Sequence, residues 1–218
     1  MKKIDVANWN RKTTYEWFNS FANPCYGFDC EMDITKLVRI TKDNKQSFFI
    51  NFLYIITLGM NKIEEMRIRI VNDEVVVYDI INPTYTIMTN ESYFVNGGHK
   101  MSNDYHIFYE RCHTELELKK NTVTTLSQEY NDSKLYDDFY ITCVPWITYK
   151  SMTHPIPDYN KSSQSVPRVC WGKYYQDGDK TKILLNITVS HTLCDGYPLS
   201  QTFNMIQSML DHVEEYLK

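Results

Sequence analysis

The apolar run from Phe48 to Met60 constrains the fold most strongly, because almost every position in it must be buried. It reads FFINFLYIITLGM and is followed at once by the polar pair Asn61-Lys62. A helix needs about 20 apolar residues to cross a bilayer, and this run is too short. We therefore predict a helix at 48–60 that is buried inside a folded domain.

Composition supports one folded domain over residues 1–218. Hydrophobic residues make up 43% of the 218 residues and aromatic residues 14%, which is far from the composition of a disordered chain. No repeat, Gly/Ser linker or long block of charge divides the sequence. The formal net charge of −4 argues against general binding to nucleic acid or to an anionic membrane, although it leaves open a local basic patch for a small anion.

The first residues and the cysteines indicate the cellular compartment of the protein. The start, MKKIDVANWNRK, has no apolar stretch after its lysines, so it predicts no signal peptide and a cytoplasmic protein. The cysteines form no CxxC pair, and we expect reduced thiols, with disulfides as the alternative. His106, Cys112 and His113 match no zinc spacing, so no metal site is predicted.

Hydrophobic periodicity predicts helices mixed with strands. Helices are expected at 11–21, at 103–118, and from Ile34 onward, where 33–35 offers a cap. Strands are expected at 66–71 and 74–81 as a hairpin, at 85–88 and at 139–149, with loops at 121–138 and 150–167. The chain is therefore predicted to be α+β.

The last third gives the clearest pattern. Strands at 168–175 and 183–190 flank the turn signal Asp177-Gly178-Asp179 and predict a hairpin. A final helix follows, with one apolar stripe formed by Leu199, Phe203, Ile206, Leu210, Val213 and Leu217. Between the strand and the helix lies 191–196, HTLCDG, in a tight turn where side chains are held rigidly and face open space.

His191 is the candidate catalyst in this turn. An imidazole is a suitable general base because its pKa lies near working pH. Asp195 could orient His191 or pair with a base elsewhere, and Gly196 suits a positive φ or close packing. Most isolated histidines are surface or core groups, so the short motif alone is weak. Cys194 is a poor nucleophile candidate because it need not meet His191 in a tight turn.

Six stretches in chain order resemble the chloramphenicol acetyltransferase family of CoA-dependent acyltransferases. They are 8–12 (NWNRK), 32–35 (MDIT), 82–87 (NPTYTI), 144–149 (VPWITY), 172–180 (GKYYQDGDK) and 191–196 (HTLCDG). The last matches the motif H-x-x-x-D-G. The matches span nearly the whole chain, and together they are specific although none is so alone.

The resemblance implies both a fold and a reaction. The fold is an α+β two-layer sandwich, a mixed β-sheet with helices packed on it. The reaction is direct acetyl transfer from acetyl-CoA to a hydroxyl of chloramphenicol or a similar small alcohol, without a metal. The family also implies a homotrimer whose active sites lie between subunits.

The resemblance also assigns roles to residues. His191 is the general base, with its other ring nitrogen held by its own carbonyl oxygen. Asp195 pairs with Arg11 and fixes the turn that ends at Gly196. Thr148, at the serine position of the matched pattern PW-x-S-F, is the oxyanion donor, and its extra methyl group could crowd the alcohol.

Further positions follow from the same comparison. Lys173 and Tyr174 fall where the family approaches CoA, while Cys25 and Tyr26 fall in its acceptor-binding segment. Ser190 stands where chloramphenicol acetyltransferases usually carry a second histidine, which puts the acceptor in more doubt than the chemistry.

Three alternatives stay open at this point. The chain could bind CoA or another ligand without turnover, or it could acetylate a different acceptor. It could also transfer an acyl group to a lipoyl-like arm, as dehydrogenase cores with the same H-x-x-x-D-G motif do.

Overall fold

The computed structural model describes residues 1–121 and 135–218. Within these residues the helices are α1 Lys12–Asn19, α2 Thr35–Asp43, α3 Phe48–Asn61, α4 Tyr105–Lys120, α5 Lys161–Gln164 and α6 Gly196–Asp211. The strands are β1 Lys2–Lys3, β2 Cys25–Asp33, β3 Ile68–Val71, β4 Glu74–Val77, β5 Asn82–Met88, β6 Phe94–Gly98, β7 Asp138–Val144, β8 Arg168–Gly172, β9 Tyr175–Asp177 and β10 Lys180–Ser190.

The main sheet is mixed. Its strand order is β2-β10-β8-β7-β5-β6, and β9 pairs with the start of β10. Strand β10 is antiparallel to β2 and β8, whereas β7 runs parallel to β8 and β5. A second, three-stranded sheet has the order β1-β4-β3. This is the predicted α+β fold, a mixed sheet with helices packed on it.

Helix α3 lies at the centre of the helical layer and contacts α2, α4 and α6. Every residue from Ile50 to Met60 is buried, so the prediction of a buried helix is confirmed. Ser47 caps its start by accepting a hydrogen bond from the backbone N–H of Ile50. One face of the sheet packs on this layer, to which β10 contributes Ile183, Leu185, Ile187 and Val189.

The other face of the sheet is polar. Residues at alternate positions of β10 point to opposite faces, so Asn186, Thr188 and Ser190 lie away from the helices, yet all three are buried. The segment 149–160 covers part of this face. His154 Nε2 lies 3.1 Å from Asn186 Oδ1, and Asn186 also donates to Asp29 across the β2–β10 pair.

Several sequence predictions need correction. Strands β2 and β6 were not predicted, and the strand expected at 139–149 ends at Val144, before a proline. Residues 64–67, expected partly in a strand, form a 3-10 turn, and the final helix ends at Asp211 rather than continuing to Leu217. The predicted loop at 150–167 contains the short helix α5. Most of the loop expected at 121–138 lies outside the described residues.

None of the described helices is long and apolar enough to cross a bilayer. In the same part of the chain, no three His, Cys, Asp or Glu side chains form a group that could hold a metal ion.

Candidate active site

The candidate site lies where β10 ends and α6 begins. The last residue of β10, Ser190, accepts backbone hydrogen bonds of 3.0 Å from both Leu193 and Cys194, which closes the turn. The His191 N–H donates to the Pro24 carbonyl oxygen at 3.0 Å, so the residue just before β2 also holds the turn. The His191 side chain is 31% exposed and can therefore meet a substrate.

Arg11 ties this turn to the start of α1. Its Nη1 forms an ion pair with Asp195 Oδ2, and its Nη2 lies 3.2 Å from the His191 carbonyl oxygen and 3.5 Å from that of Thr192. The Arg11 side chain is 14% exposed, against 40% for Asp195. The geometry thus contains the Arg11–Asp195 pair that the resemblance implies.

The imidazole environment differs from the expected one in one respect. Nδ1 of His191 lies 3.2 Å from Asp195 Oδ1, although the two groups are not aligned as a hydrogen bond. The His191 carbonyl oxygen, expected to hold Nδ1, instead accepts from Arg11. Asp195 therefore faces both the guanidinium and the ring.

Gly196 also departs from expectation. It has no positive φ, and a Cβ built on it would meet no atom within 4 Å. Gly196 is simply the first residue of α6, with Asp195 at the N-cap position. The predicted reason for a glycine here is wrong, and the structure shows no other.

Two aromatic rings contact the imidazole. The Phe18 ring is stacked on it, with centroids 3.9 Å apart and an angle of 13° between planes. The Tyr26 ring lies at 4.6 Å and 33°. The sequence predicted a helix at 11–21 but did not single out Phe18. The sequence feature that could have identified Phe18 is its position two turns after Arg11, on the same side of α1.

Cys25 and Tyr26 lie beside the turn, as β2 pairs Cys25 with Ser190. Burial raises the pKa of the Cys25 thiol to about 11, so this cysteine is not an activated thiolate. The Tyr26 hydroxyl donates to the Cys194 carbonyl oxygen at 3.2 Å. Burial is also the main reason that the pKa of Cys194 is strongly raised, which argues against Cys194 as a nucleophile.

Thr148 lies in a different region, with Lys173 and Tyr174. The loop that carries it packs against the end of β8, where the Lys173 N–H donates to the Ile147 carbonyl oxygen at 2.8 Å. Thr148, Lys173 and Tyr174 are exposed, and the Tyr174 ring lies 5.2 Å from that of Phe48.

Strand register separates Thr148 from His191 within one chain. The hydroxyl of Tyr149, next to Thr148, lies 3.3 Å from the Leu184 carbonyl oxygen on β10. His191 follows seven residues later, and at about 3.3 Å per residue this is roughly 23 Å along the strand. Thr148 therefore lies beside the middle of β10, whereas His191 directly follows the last residue of that strand.

A second threonine, Thr142, shares the polar face of the sheet. It is half-buried in β7 and pairs with Cys170 of β8, which in turn pairs with Asn186 of β10. Its hydroxyl is carried by a regular strand, whereas Thr148 is in an exposed loop. Sequence reasoning did not single out Thr142.

Comparisons with known proteins agree on one group. A sequence model of the family described as chloramphenicol acetyltransferase matches residues 1–207. The chloramphenicol acetyltransferase of Proteus mirabilis is 29% identical over 215 residues, covering 95% of this chain and 94% of that protein. A solved chloramphenicol acetyltransferase structure superposes with a TM-score of 0.84 at 24% identity, covering 96% of this chain and all of that one.

A dihydrolipoamide acetyltransferase structure from Azotobacter vinelandii is more distant. It superposes with a TM-score of 0.68 at 10% identity and covers 94% of this chain and 88% of that one. At this identity the likeness concerns the fold alone.

Proposed function

Because this chain belongs to the chloramphenicol acetyltransferase family and is an acyltransferase, we propose that it transfers acetyl from acetyl-CoA to a hydroxyl of chloramphenicol or a similar small alcohol. The observation that carries the proposal is the environment of His191. A partly exposed imidazole, contacted by two aromatic rings and tied down by Arg11 and Asp195, is suited to serve as a fixed general base.

The imidazole removes the proton from the acceptor hydroxyl as the oxygen attacks the thioester carbonyl carbon. A tetrahedral intermediate forms, with one new C–O bond and a negatively charged oxygen. When it collapses, the C–S bond breaks and the CoA sulfur leaves with the electron pair. The proton held by His191 passes to this sulfur, so the base is restored. Asp195 near Nδ1 favours a proton on that nitrogen, which leaves Nε2 to act as the base.

The oxyanion needs a hydrogen-bond donor, and two threonines are candidates. Thr148 is the donor implied by the resemblance. Thr142 satisfies the requirement for a preorganised group better, because a strand residue is held more rigidly than an exposed loop residue. Either hydroxyl could donate, and substitution distinguishes them.

A homotrimer with shared sites is part of the proposal. Thr148 is next to Tyr149, whose hydroxyl reaches Leu184, and Leu184 is roughly 23 Å along β10 from His191. This placement supports a site in which Thr148 and His191 come from different chains. Packing the His191 turn of one subunit against the Thr148 loop of its neighbour would bring the two together. Lys173 and Tyr174 would then lie on the CoA side, with Cys25 near the acceptor. A cytoplasmic location belongs to the same proposal, because acetyl-CoA is made inside the cell.

The test is release of free CoA thiol from acetyl-CoA, with and without chloramphenicol, by the wild type and His191→Ala. Loss of the base is expected to lower kcat by at least about 10²–10⁴-fold. Chloramphenicol-dependent release that disappears in the variant would support both the chemistry and the acceptor. If only other alcohols support release, the acceptor is wrong. If CoA binds without release under any alcohol, the chain is a non-catalytic member of the family.

A further inference from the structure

Tyr26 contacts the His191 turn in two ways. Its hydroxyl donates to the Cys194 carbonyl oxygen at 3.2 Å, and its ring lies 4.6 Å from the imidazole. Tyr26 is part of β2 and pairs with Val189, two residues before His191. One side chain on a regular strand therefore touches both the imidazole and the last part of the turn that carries it.

The hydrogen bond from Tyr26 satisfies a carbonyl group of the turn that Arg11 does not bind. Arg11 accounts for the carbonyl oxygens of His191 and Thr192. The Cys194 carbonyl oxygen accepts from Tyr26 instead, and Cys194 is only 1% exposed. A buried carbonyl group that loses its partner is unfavourable, so the turn would move to satisfy it.

The phenol remains a donor under all working conditions. Burial raises the pKa of Tyr26 far above its usual value, and the nearby Cys194 and Asp195 act in the same direction. The hydroxyl is therefore protonated at any pH at which a histidine base operates.

We propose that Tyr26 is a positioning residue for His191, rather than the acceptor contact that the resemblance implies. Its hydroxyl fixes the end of the turn, and its ring limits the orientation of the imidazole. This inference rests on the proposed function, since it requires His191 to be the base.

A kinetic comparison separates positioning from acceptor binding. Tyr26→Phe keeps the ring and removes the hydrogen bond. We expect kcat to fall about 10-fold while the acceptor KM stays within about two-fold, because a displaced base slows the chemical step without weakening acceptor binding. Tyr26→Ala, which also removes the ring, is expected to lower kcat further.

Tyr54→Phe is the matched control. The Tyr54 hydroxyl likewise donates to a backbone carbonyl oxygen, that of Asn103 at 2.7 Å, but it lies in the helical layer. This variant should keep both kinetic constants. A higher acceptor KM with unchanged kcat in Tyr26→Phe would overturn the proposal in favour of an acceptor contact. Unchanged values of both constants would also overturn it.

A spectroscopic measurement reports on the environment of the His191 imidazole without requiring turnover. The Cε1–H resonance of His191 is assigned in histidine-labelled protein by its loss in His191→Ala. We expect Tyr26→Phe to shift or broaden this resonance and Tyr54→Phe to leave it in place. An unmoved resonance in Tyr26→Phe would overturn the proposal. A resonance that moves in a protein unable to transfer acetyl would overturn the proposed function while leaving the contact established.

Discussion

The imidazole of His191 is stacked on the ring of Phe18, 173 residues earlier in the chain, with centroids 3.9 Å apart. Phe18 belongs to α1, and Arg11 stands at the N-cap position of the same helix. One short helix therefore covers the ring of the candidate base and binds the carbonyl groups of its turn. None of the α1 residues is fully buried, so the helix is placed mainly by these contacts and by its aromatic side chains.

Removing the stacked ring should impair the base. We expect Phe18→Ala to lower kcat by roughly 10–100-fold, because a small displacement of a catalytic group has effects of this size. Phe21→Ala is the control, since the Phe21 ring packs on Phe18 at 5.3 Å, whereas the described rings against the imidazole are those of Phe18 and Tyr26. Steady-state kinetics on both variants, with folding checked by circular dichroism, decides the matter. Equal kcat values for Phe18→Ala and the wild type would show that the stack has no role.

The guanidinium of Arg11 should not be replaceable by an ammonium group. Lysine can neutralise Asp195, but it cannot also reach the two carbonyl oxygens with the planar fork of arginine. Arg11→Lys is expected to lower kcat about 10-fold and the free energy of unfolding by about 2 kcal/mol. Both are measured against Arg111→Lys, which alters an exposed arginine bonded to the Lys100 carbonyl oxygen. If Arg11→Lys has wild-type kinetics, the Arg11–Asp195 pair acts through its charge alone.

The sequence predicts the helical layer better than the edges of the sheet. An apolar run such as 48–60 is stable only when it is buried, because exposing almost any of its side chains to water would be unfavourable. Strand β2 has no such signal. It lies at a sheet edge and mixes Gly27, Asp29 and Glu31 with apolar residues, so its pattern is fixed by pairing with β10 rather than by its own composition.

In the candidate site, too, some contacts could be predicted from the sequence and others could not. The pairing of Arg11 with Asp195 could be expected from motifs at both ends of the chain. The contacts of Phe18 and Tyr26 with His191 could not, because they depend on how α1 and β2 approach the end of β10. The separation of Thr148 from His191 was equally hidden, since it follows from the register of β10 with its neighbours.

Acidification should destabilise the fold through two half-buried histidines. Burial lowers the pKa values of His99 and His154 to about 4. An unfolded histidine binds its proton near pH 6.5, so each contribution is complete above that pH and is lost as pH falls towards 4. Asp138 opposes this, because burial raises its pKa to about 6 and its contribution is lost as pH rises. Two histidines against one aspartate give a net loss of stability on acidification.

Urea unfolding between pH 6.5 and 4.5 measures this loss. His154→Gln removes one of the two titrations and should reduce the slope of unfolding free energy by up to about 1 kcal/mol per pH unit. His106→Gln, at an exposed position, is the control and should leave the slope unchanged. Parallel pH curves for wild type and His154→Gln would rule out a contribution from this histidine.

Alanine and serine variants of Thr148 and Thr142 distinguish the two candidate oxyanion donors. Thr148→Ala should lower kcat roughly 10²-fold if Thr148 donates to the oxyanion, and Thr148→Ser should restore it. Thr142→Ala and Thr142→Ser form the matched set on β7. A silent Thr148→Ala together with a slow Thr142→Ala would assign the donor to the strand. If both alanine variants are as fast as the wild type, neither hydroxyl is the donor.

Hybrid trimers test whether two chains share each site. His191→Ala subunits and subunits lacking the donor hydroxyl are each expected to be nearly inactive. When they are unfolded together and reassembled in equal amounts, three-quarters of the trimers are hybrids, and each hybrid has one interface with both wild-type groups. About a quarter of the wild-type activity should therefore return, if assembly is random and the trimer is closed. Mixing the two assembled proteins without unfolding is the control and should give none. No recovery after reassembly would contradict a site shared between subunits and would require both groups to act within one chain.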